Sequence, residues 1–175
     1  IKFNEKNNIM RTILTIQELL SGRNADFDNA AQQEGKVQMV RLPFETAHGK
    51  NGVSLNTSKL TSVNTISDFI EKVGKDELRK FLSEWHTKSY ELVSKAEYIV
   101  VFWTHDHKSG DSKVPSKLLG VYKVENSQNK NNKYVLDLKE VREFDIFLKK
   151  TVIDFKNTRP LTIDFSKNGK RIYVI

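Results

Sequence analysis

Trp103, His105, Asp106 and His107 fall within five positions, Trp103 ending an unbroken apolar run that begins at Tyr98. An indole with one open face can stack on a planar base, and a histidine and a carboxylate beside it supply a donor and an acceptor for the base's hydrogen-bonding edge. The triplet has a second possible chemistry. Histidines at i and i+2 on an extended segment point to one side, so His105 and His107 with Asp111 or His48 are candidate ligands of a two-histidine, one-carboxylate metal site. No further His or carboxylate at ligand spacing supports that site, and polar turns are commonly rich in His and Asp. No metal and no other cofactor is expected.

A third chemistry would rest on Asp137 and Lys139, two apart in "LDLKEV". An acid and a lysine at this spacing on a strand occur in metal-dependent nucleases, which also need an acidic residue on a neighbouring strand to complete the divalent-ion cage. Only Asp106 and Asp111 are available upstream, both in a polar loop. The chain has no cysteine, no Gly-rich phosphate loop and no Ser nucleophile elbow. Catalysis by this chain alone is not expected.

The aromatic residues Trp85, Tyr90, Tyr98, Phe102, Trp103 and Tyr122 gather around a change from helical to strand periodicity. Phe81, Phe102 and Tyr98 read as core. Trp103 is the first candidate for a pocket wall, followed by Trp85, Tyr90 and Tyr122.

The elements that must position these residues follow from periodicity. "TILTIQELLS" spaces Ile13, Ile16, Leu19 and Leu20 as one helix face, and Gly22 stops it. "KVQMVRLPF" alternates as a strand ended by Pro43, and residues 45–64 read as an exposed insertion. Residues 65–96 read as two helices, the second burying Leu78, Phe81, Leu82, Trp85, Tyr90 and Val93. Strands are expected at 97–103, 117–124, 132–138, 151–155, 160–165 and 171–175, with "ENSQNKNNK" (125–133) a solvated hairpin loop. Gly120, inside a strand, marks a bend or a close approach. Short strands at this spacing predict an α+β domain, a small β-barrel flanked by helices. Residues 1–175 form one domain, with 1–11 a disordered tail.

Charge adds a partner. The chain carries 29 Lys and Arg against 22 Asp and Glu, a formal +7, and the excess lies late: six basic against three acidic over 98–135, nine against five over 139–175. A basic half of this kind suits a polyanion. Lys108, Lys113, Lys117, Arg159 and Arg171 are the expected phosphate contacts. The absence of cysteine suits a reducing compartment, and "IKFNEKNNIMRTILTIQELL" lacks the apolar core and cleavage site of a signal peptide. A cytoplasmic protein without membrane contact is expected, and because residue 1 is isoleucine the sequence reads as a processed chain or a fragment.

The runs "FLSEWHTKSYELVSKAEYIVVFW", "KLLGVYKVE", "YVLDLKEVREFDIFLKKTVIDFKNTRP" and "KRIYVI" resemble the PUA-like N-terminal module of bacterial GIY-YIG nucleases and related restriction-type endonucleases. In that family a helix carrying a tryptophan leads into a strand ending in aromatics, followed by a "GVY" strand and an "IDW…TR-S-W" tract. "KVQMVRLPF" is similar to the family's early strand. The likeness covers 12–42 loosely and 78–175 more fully. Arg41, Trp85, Trp103, Asp154, Thr158 and Arg159 match the motif, whereas Phe155 stands in place of a tryptophan and Pro160-Leu161 in place of Ser-Trp. The family is similar in fold to the EVE, YTH and SRA modules, which enclose a flipped or unpaired modified base. The resemblance therefore implies a PUA-like barrel that reads a methylated or hydroxymethylated base in DNA, or a base in RNA, and targets a nuclease domain in the same or a partner chain, in restriction or defence. It adds Asp154 to the base pocket of Trp85, Tyr90, Trp103, His105, Asp106 and Tyr122, and Arg41 to the phosphate contacts. The competing readings are a small magnesium-dependent nuclease using Asp137 and Lys139, and a protein-interaction adaptor.

Overall fold

The structure is a computed structural model and describes residues 2–4, 9–11, 14–43, 79–80, 82–83, 90–104, 116–130, 133–147, 151–153 and 161–174. Strands β1 (Lys2–Asn4) and β2 (Ile9–Arg11) pair antiparallel as a small sheet of their own, where the sequence suggested a disordered tail. Helices α1 (Ile16–Leu20) and α2 (Ala25–Ala31) follow, then β3 (Val37–Pro43), α3 (Tyr90–Ser94), β4 (Tyr98–Thr104), β5 (Ser116–Lys130) and β6 (Lys133–Glu140). A 3-10 helix (Arg142–Phe147), β7 (Thr151–Ile153), β8 (Leu161–Asp164), α4 (Phe165–Asn168) and β9 (Tyr173–Val174) complete the order. Arg79, Lys80, Leu82 and Ser83 are helical, as expected of the second helix in 65–96. The insertion expected at 45–64 lies outside the described residues.

Seven strands form one mixed sheet in the order β8-β3-β4-β5-β7-β9, with β6 also on β5. The chain is an α+β protein. Among the described strands the sheet is open, with β8 and β9 at its ends, so the expected closed barrel is not formed. Strand β5 explains the shape. Of its fifteen residues, Lys117–Lys123 pair along one edge with β4, while the other edge is shared between β7 at Ser116–Lys117 and β6 from Tyr122 onward. Register shifts at Val101/Phe102 and at Val124/Asn126 mark two bulges, which bend and twist a strand that would otherwise be flat. The hairpin loop expected at 125–133 is instead strand, paired in register as far as Lys130 and Lys133.

Period-two alternation decides which side chains enter the core. Val37 and Met39 of β3, Tyr98, Val100 and Phe102 of β4, and Leu118 and Val121 of β5 pack with Ile16, Leu20, Phe27, Phe144 and Phe165 in one cluster. Phe27 is its hub: its ring lies 5.3 Å from Tyr98, 4.9 Å from Phe144 and 5.7 Å from Phe165, centroid to centroid. Burying such a ring stabilises the fold by about 1.5–3 kcal/mol. The alternate residues Val40, Ile99, Val101 and Tyr122 are also buried, so both faces of the central strands are covered.

Local polar contacts fix the helices that form one cover. Thr15 caps α1 through a capping box: its hydroxyl accepts from Glu18 N at 3.2 Å, and Glu18 Oε1 accepts from Thr15 N at 3.2 Å. Asn24 caps α2 by accepting from Phe27 N at 2.9 Å. Between them Gly22 adopts φ +80°, a conformation that disfavours side chains, and its N–H donates to the Asp28 carboxylate at 3.0 Å. Helix α1 is also tied to the end of the chain, because Ile16 N donates to Ile172 O at 2.8 Å and Val174 N donates to Leu14 O at 2.8 Å.

Candidate nucleic-acid interface

The parallel pair β3 and β4 ends in register, Pro43 opposite Thr104. One row below, the ladders align Leu42 with Trp103, Trp103 with Lys117 and Lys117 with Thr151. Four strands thus contribute one residue each to a single row, and paired residues share a face of the sheet. Strand β8 begins at the same end, since Leu161 is opposite Arg41. Strands β3, β4 and β7 therefore end, and β5 and β8 begin, along one rim. The segments 44–78, 105–115 and 154–160 join the sheet there.

Those segments carry six of the thirteen expected site residues. His105, Asp106, Lys108, Lys113, Asp154 and Arg159 lie outside the described residues, as do Trp85, His48, His107, Asp111 and Thr158. Of Tyr90, Trp103 and Lys117 the backbone is described, and it places Tyr90 at the start of α3, the helix that leads into the beginning of β4, whereas Trp103 is near the end of β4, opposite Lys117. Arg171, exposed, precedes β9, and its N–H donates to Asn168 O at 2.9 Å.

Two expected contact residues are core residues in the described structure. Arg41 was expected on a phosphate, but it is only 1% exposed. It alternates with Val37 and Met39, so the strand period sends it into the layer beneath α1 and α2. Burial lowers its pKa from the ordinary guanidinium value to about 10, because a guanidinium loses hydration there. Tyr122, expected as a pocket wall, is 2% exposed. Burial raises its phenol well above the usual 10, Glu140 and Asp145 push the same way, and Arg79 opposes them. Its ring lies over Gly120: a Cβ added there would meet Tyr122 Cε2 at 3.3 Å. The glycine expected to mark a bend or the close approach of another backbone stands beside the β4–β5 bulge and is covered by an aromatic ring of its own strand.

The nuclease arrangement meets a different obstacle. Asp137 and Lys139 are exposed on β6, but the residue paired with Asp137 is Asn126 and the one paired with Lys139 is Lys123. A second lysine therefore stands where a divalent-ion cage needs an acid. Among the described residues no group of three or more His, Cys, Asp or Glu could hold a metal ion. No described helix is long and apolar enough to cross a membrane.

No family model, curated protein or solved structure matches the chain.

Proposed function

We propose that the chain is a nucleic-acid-binding module of the PUA-like kind that reads a modified base in DNA and targets a nuclease domain in the same or a partner chain. The observation that carries this reading is the in-register row Leu42, Trp103, Lys117 and Thr151 at the rim of the sheet. It sets the aromatic residue suited to stacking beside a cation suited to a phosphate, on adjacent strands. His105 and Asp106, next along the chain from Thr104, supply the donor and acceptor for the base edge. Lys108, Lys113 and Arg159 belong to segments that join the sheet at the same rim, and with Lys117 they hold the backbone.

The formal charge of +7 supports a polyanionic partner. The rim supplies about four phosphate contacts, which contribute about −3 to −4 to the slope of log affinity for duplex DNA against log salt. The deciding experiment is a panel of single- and double-stranded oligonucleotides carrying methylcytosine, hydroxymethylcytosine, methyladenine or no modification. Preference for one modification supports base reading. Salt-dependent binding without preference reduces the function to backbone binding, and no binding at low salt overturns the proposal.

A further inference from the structure

Strands β5 and β6 continue past the sheet as a two-stranded ribbon. From Asn126 onward β5 pairs only with β6, in the register Asn126 with Asp137, Ser127 with Leu136, Gln128 with Val135, Asn129 with Tyr134 and Lys130 with Lys133. Alternation divides the ribbon into two faces. Leu136 and Leu138 are buried on one. The other carries the pairs Lys123 with Lys139, Asn126 with Asp137 and Gln128 with Val135, all exposed except the half-buried Val135. Register assigns the pair Lys130 and Lys133 to this same face.

Two pairs on one face are thus lysine opposite lysine. Like charges directly opposite one another destabilise a sheet. Neither Lys123 nor Lys139 makes an ion pair among the described residues. Among the described residues of β5 and β6, the carboxylates on this stretch of the face are Asp137 and the bulge residue Glu125, against four lysines, while Asp26, Glu97 and Glu143 act on Tyr98, the β4 partner of Lys123. Such an arrangement lowers its energy when an anion with two parallel rows of charge covers it.

We infer that this face of the β5–β6 ribbon binds the major groove of duplex DNA, its lysine pairs on the two phosphate walls and Asn126, Gln128 and Asp137 over the base edges. This rests on the nucleic-acid reading above and adds a second contact surface to it. The dimensions fit. The major groove is about 12 Å wide and admits a two-stranded ribbon. Six residues separate Lys133 from Lys139, about 20 Å of strand, which is about six steps of 3.4 Å along the duplex. The two lysines of each pair start about 5 Å apart, one on each strand, and each reaches a different wall. Between them the chemistry suits base edges: Asn and Gln can pair with adenine, and Asp accepts from the cytosine amino group. The major groove of A-form RNA is too deep and narrow for such a ribbon, so the partner is DNA.

The test compares the full chain with a variant carrying Lys123→Ala, Lys130→Ala, Lys133→Ala and Lys139→Ala. Affinity for a 24-base-pair DNA duplex and for the RNA duplex of the same sequence is measured by fluorescence anisotropy at several salt concentrations between about 50 and 200 mM. The wild type is expected to prefer the DNA duplex. The variant should lose most of that preference, and its salt slope should be shallower by about 3 to 4, at about 0.9 per phosphate contact. A Lys123→Arg, Lys139→Arg variant keeps the charge and should retain affinity, and thermal melting establishes that each variant is folded. A folded quadruple variant with wild-type affinity and slope overturns the ribbon proposal, as does a wild type that binds both duplexes equally. If that variant is normal but Trp103→Ala loses its base preference, only the ribbon proposal fails. A wild type that binds no DNA sinks both.

Discussion

Trp103 and Lys117 are directly opposite one another in the β4–β5 ladder, at the rim where three segments of the chain join the sheet. The pairing predicts two separable losses. Stacking of a base on an aromatic side chain is worth about 1–3 kcal/mol by alanine substitution, whereas truncating a fully packed tryptophan costs about 3–5 kcal/mol of folding stability. Trp103→Ala should therefore weaken binding and erase preference for a modified base while the domain stays folded, and Trp103→Phe should keep most of both. Lys117→Ala should weaken binding to every sequence alike, because phosphate contacts carry no sequence information. Oligonucleotide titrations with circular dichroism of each variant decide this. Trp103→Ala that unfolds the domain would make Trp103 the end of a strand and nothing more.

Arg41 provides the contrasting case. A side chain 1% exposed in the layer beneath the helices does not reach a phosphate from there. Arg41→Ala should leave the salt slope of DNA binding unchanged. It should lower folding stability by about 2–4 kcal/mol, the range for emptying a buried site of similar size. Urea unfolding and anisotropy on the same variant separate the two effects, and a shallower salt slope with intact stability would return Arg41 to the interface.

Much of the fold was legible because strand alternation is a local signal. The strands read at 97–103 and 132–138 lie within one or two residues of β4 and β6, and Thr15 begins the helix that Gly22 was expected to end. What could not be read depends on partners distant in sequence. Helix α2, "ADFDNAA", is too short to show a period, and it is fixed by the Asn24 cap and by Phe27 packing on Tyr98, Phe144 and Phe165. The polar run 125–133 looked like a loop, yet each residue of its β5 arm from Asn126 has a partner on β6. Arg41 and Tyr122 have the chemistry of contact residues, and only the packing of both sheet faces shows them buried. Of the site, the rim position of Trp103 and Lys117 was legible from the end of an apolar strand. The opposed lysines of the ribbon required the register.

The two perturbed core groups act on alkaline stability with opposite signs. Tyr122 has its folded pKa raised above 10, so the folded state holds this proton longer than the unfolded chain. Its contribution is fully present below pH 10 and is lost as pH rises beyond it. Arg41 has its folded pKa lowered from its ordinary value to about 10, so the unfolded chain holds that proton longer and this group's contribution rises as pH goes above about 10. In the wild type the two oppose each other. The stability difference between wild type and the Tyr122→Phe variant should be constant below pH 10. Above it the wild type should lose stability relative to the variant by up to about 1.4 kcal/mol per pH unit. Urea midpoints between pH 8 and 11 measure this, and a gap independent of pH would contradict the burial of the phenol.

The capping box of α1 joins the start of the described core to its end, because Thr15 also bridges Tyr173. Thr15→Ala removes the hydroxyl that accepts from Glu18 N and should cost about 1 kcal/mol. Thr15→Ser keeps that acceptor and should recover most of the loss. Denaturant unfolding of both variants checks the assignment, and equal stability of Thr15→Ala and wild type would refute it.

Gly120 and Tyr122 give a prediction that depends on contact rather than composition. Alanine at 120 would place its Cβ 3.3 Å from Tyr122 Cε2, closer than an ordinary contact, while the ring is buried and has little room to yield. Crowding of this kind typically costs about 1–3 kcal/mol, offset in part by about 0.4–1 kcal/mol of entropy removed from the unfolded chain. Gly120→Ala should therefore destabilise the domain by about 1 kcal/mol. In a Tyr122→Leu background the crowding is gone while the entropic gain remains, so the same substitution should become neutral or stabilising. A double-mutant cycle measured by urea unfolding gives the coupling directly. Additivity of the two substitutions would mean that the glycine is required by the bulge beside it and not by the ring that covers it.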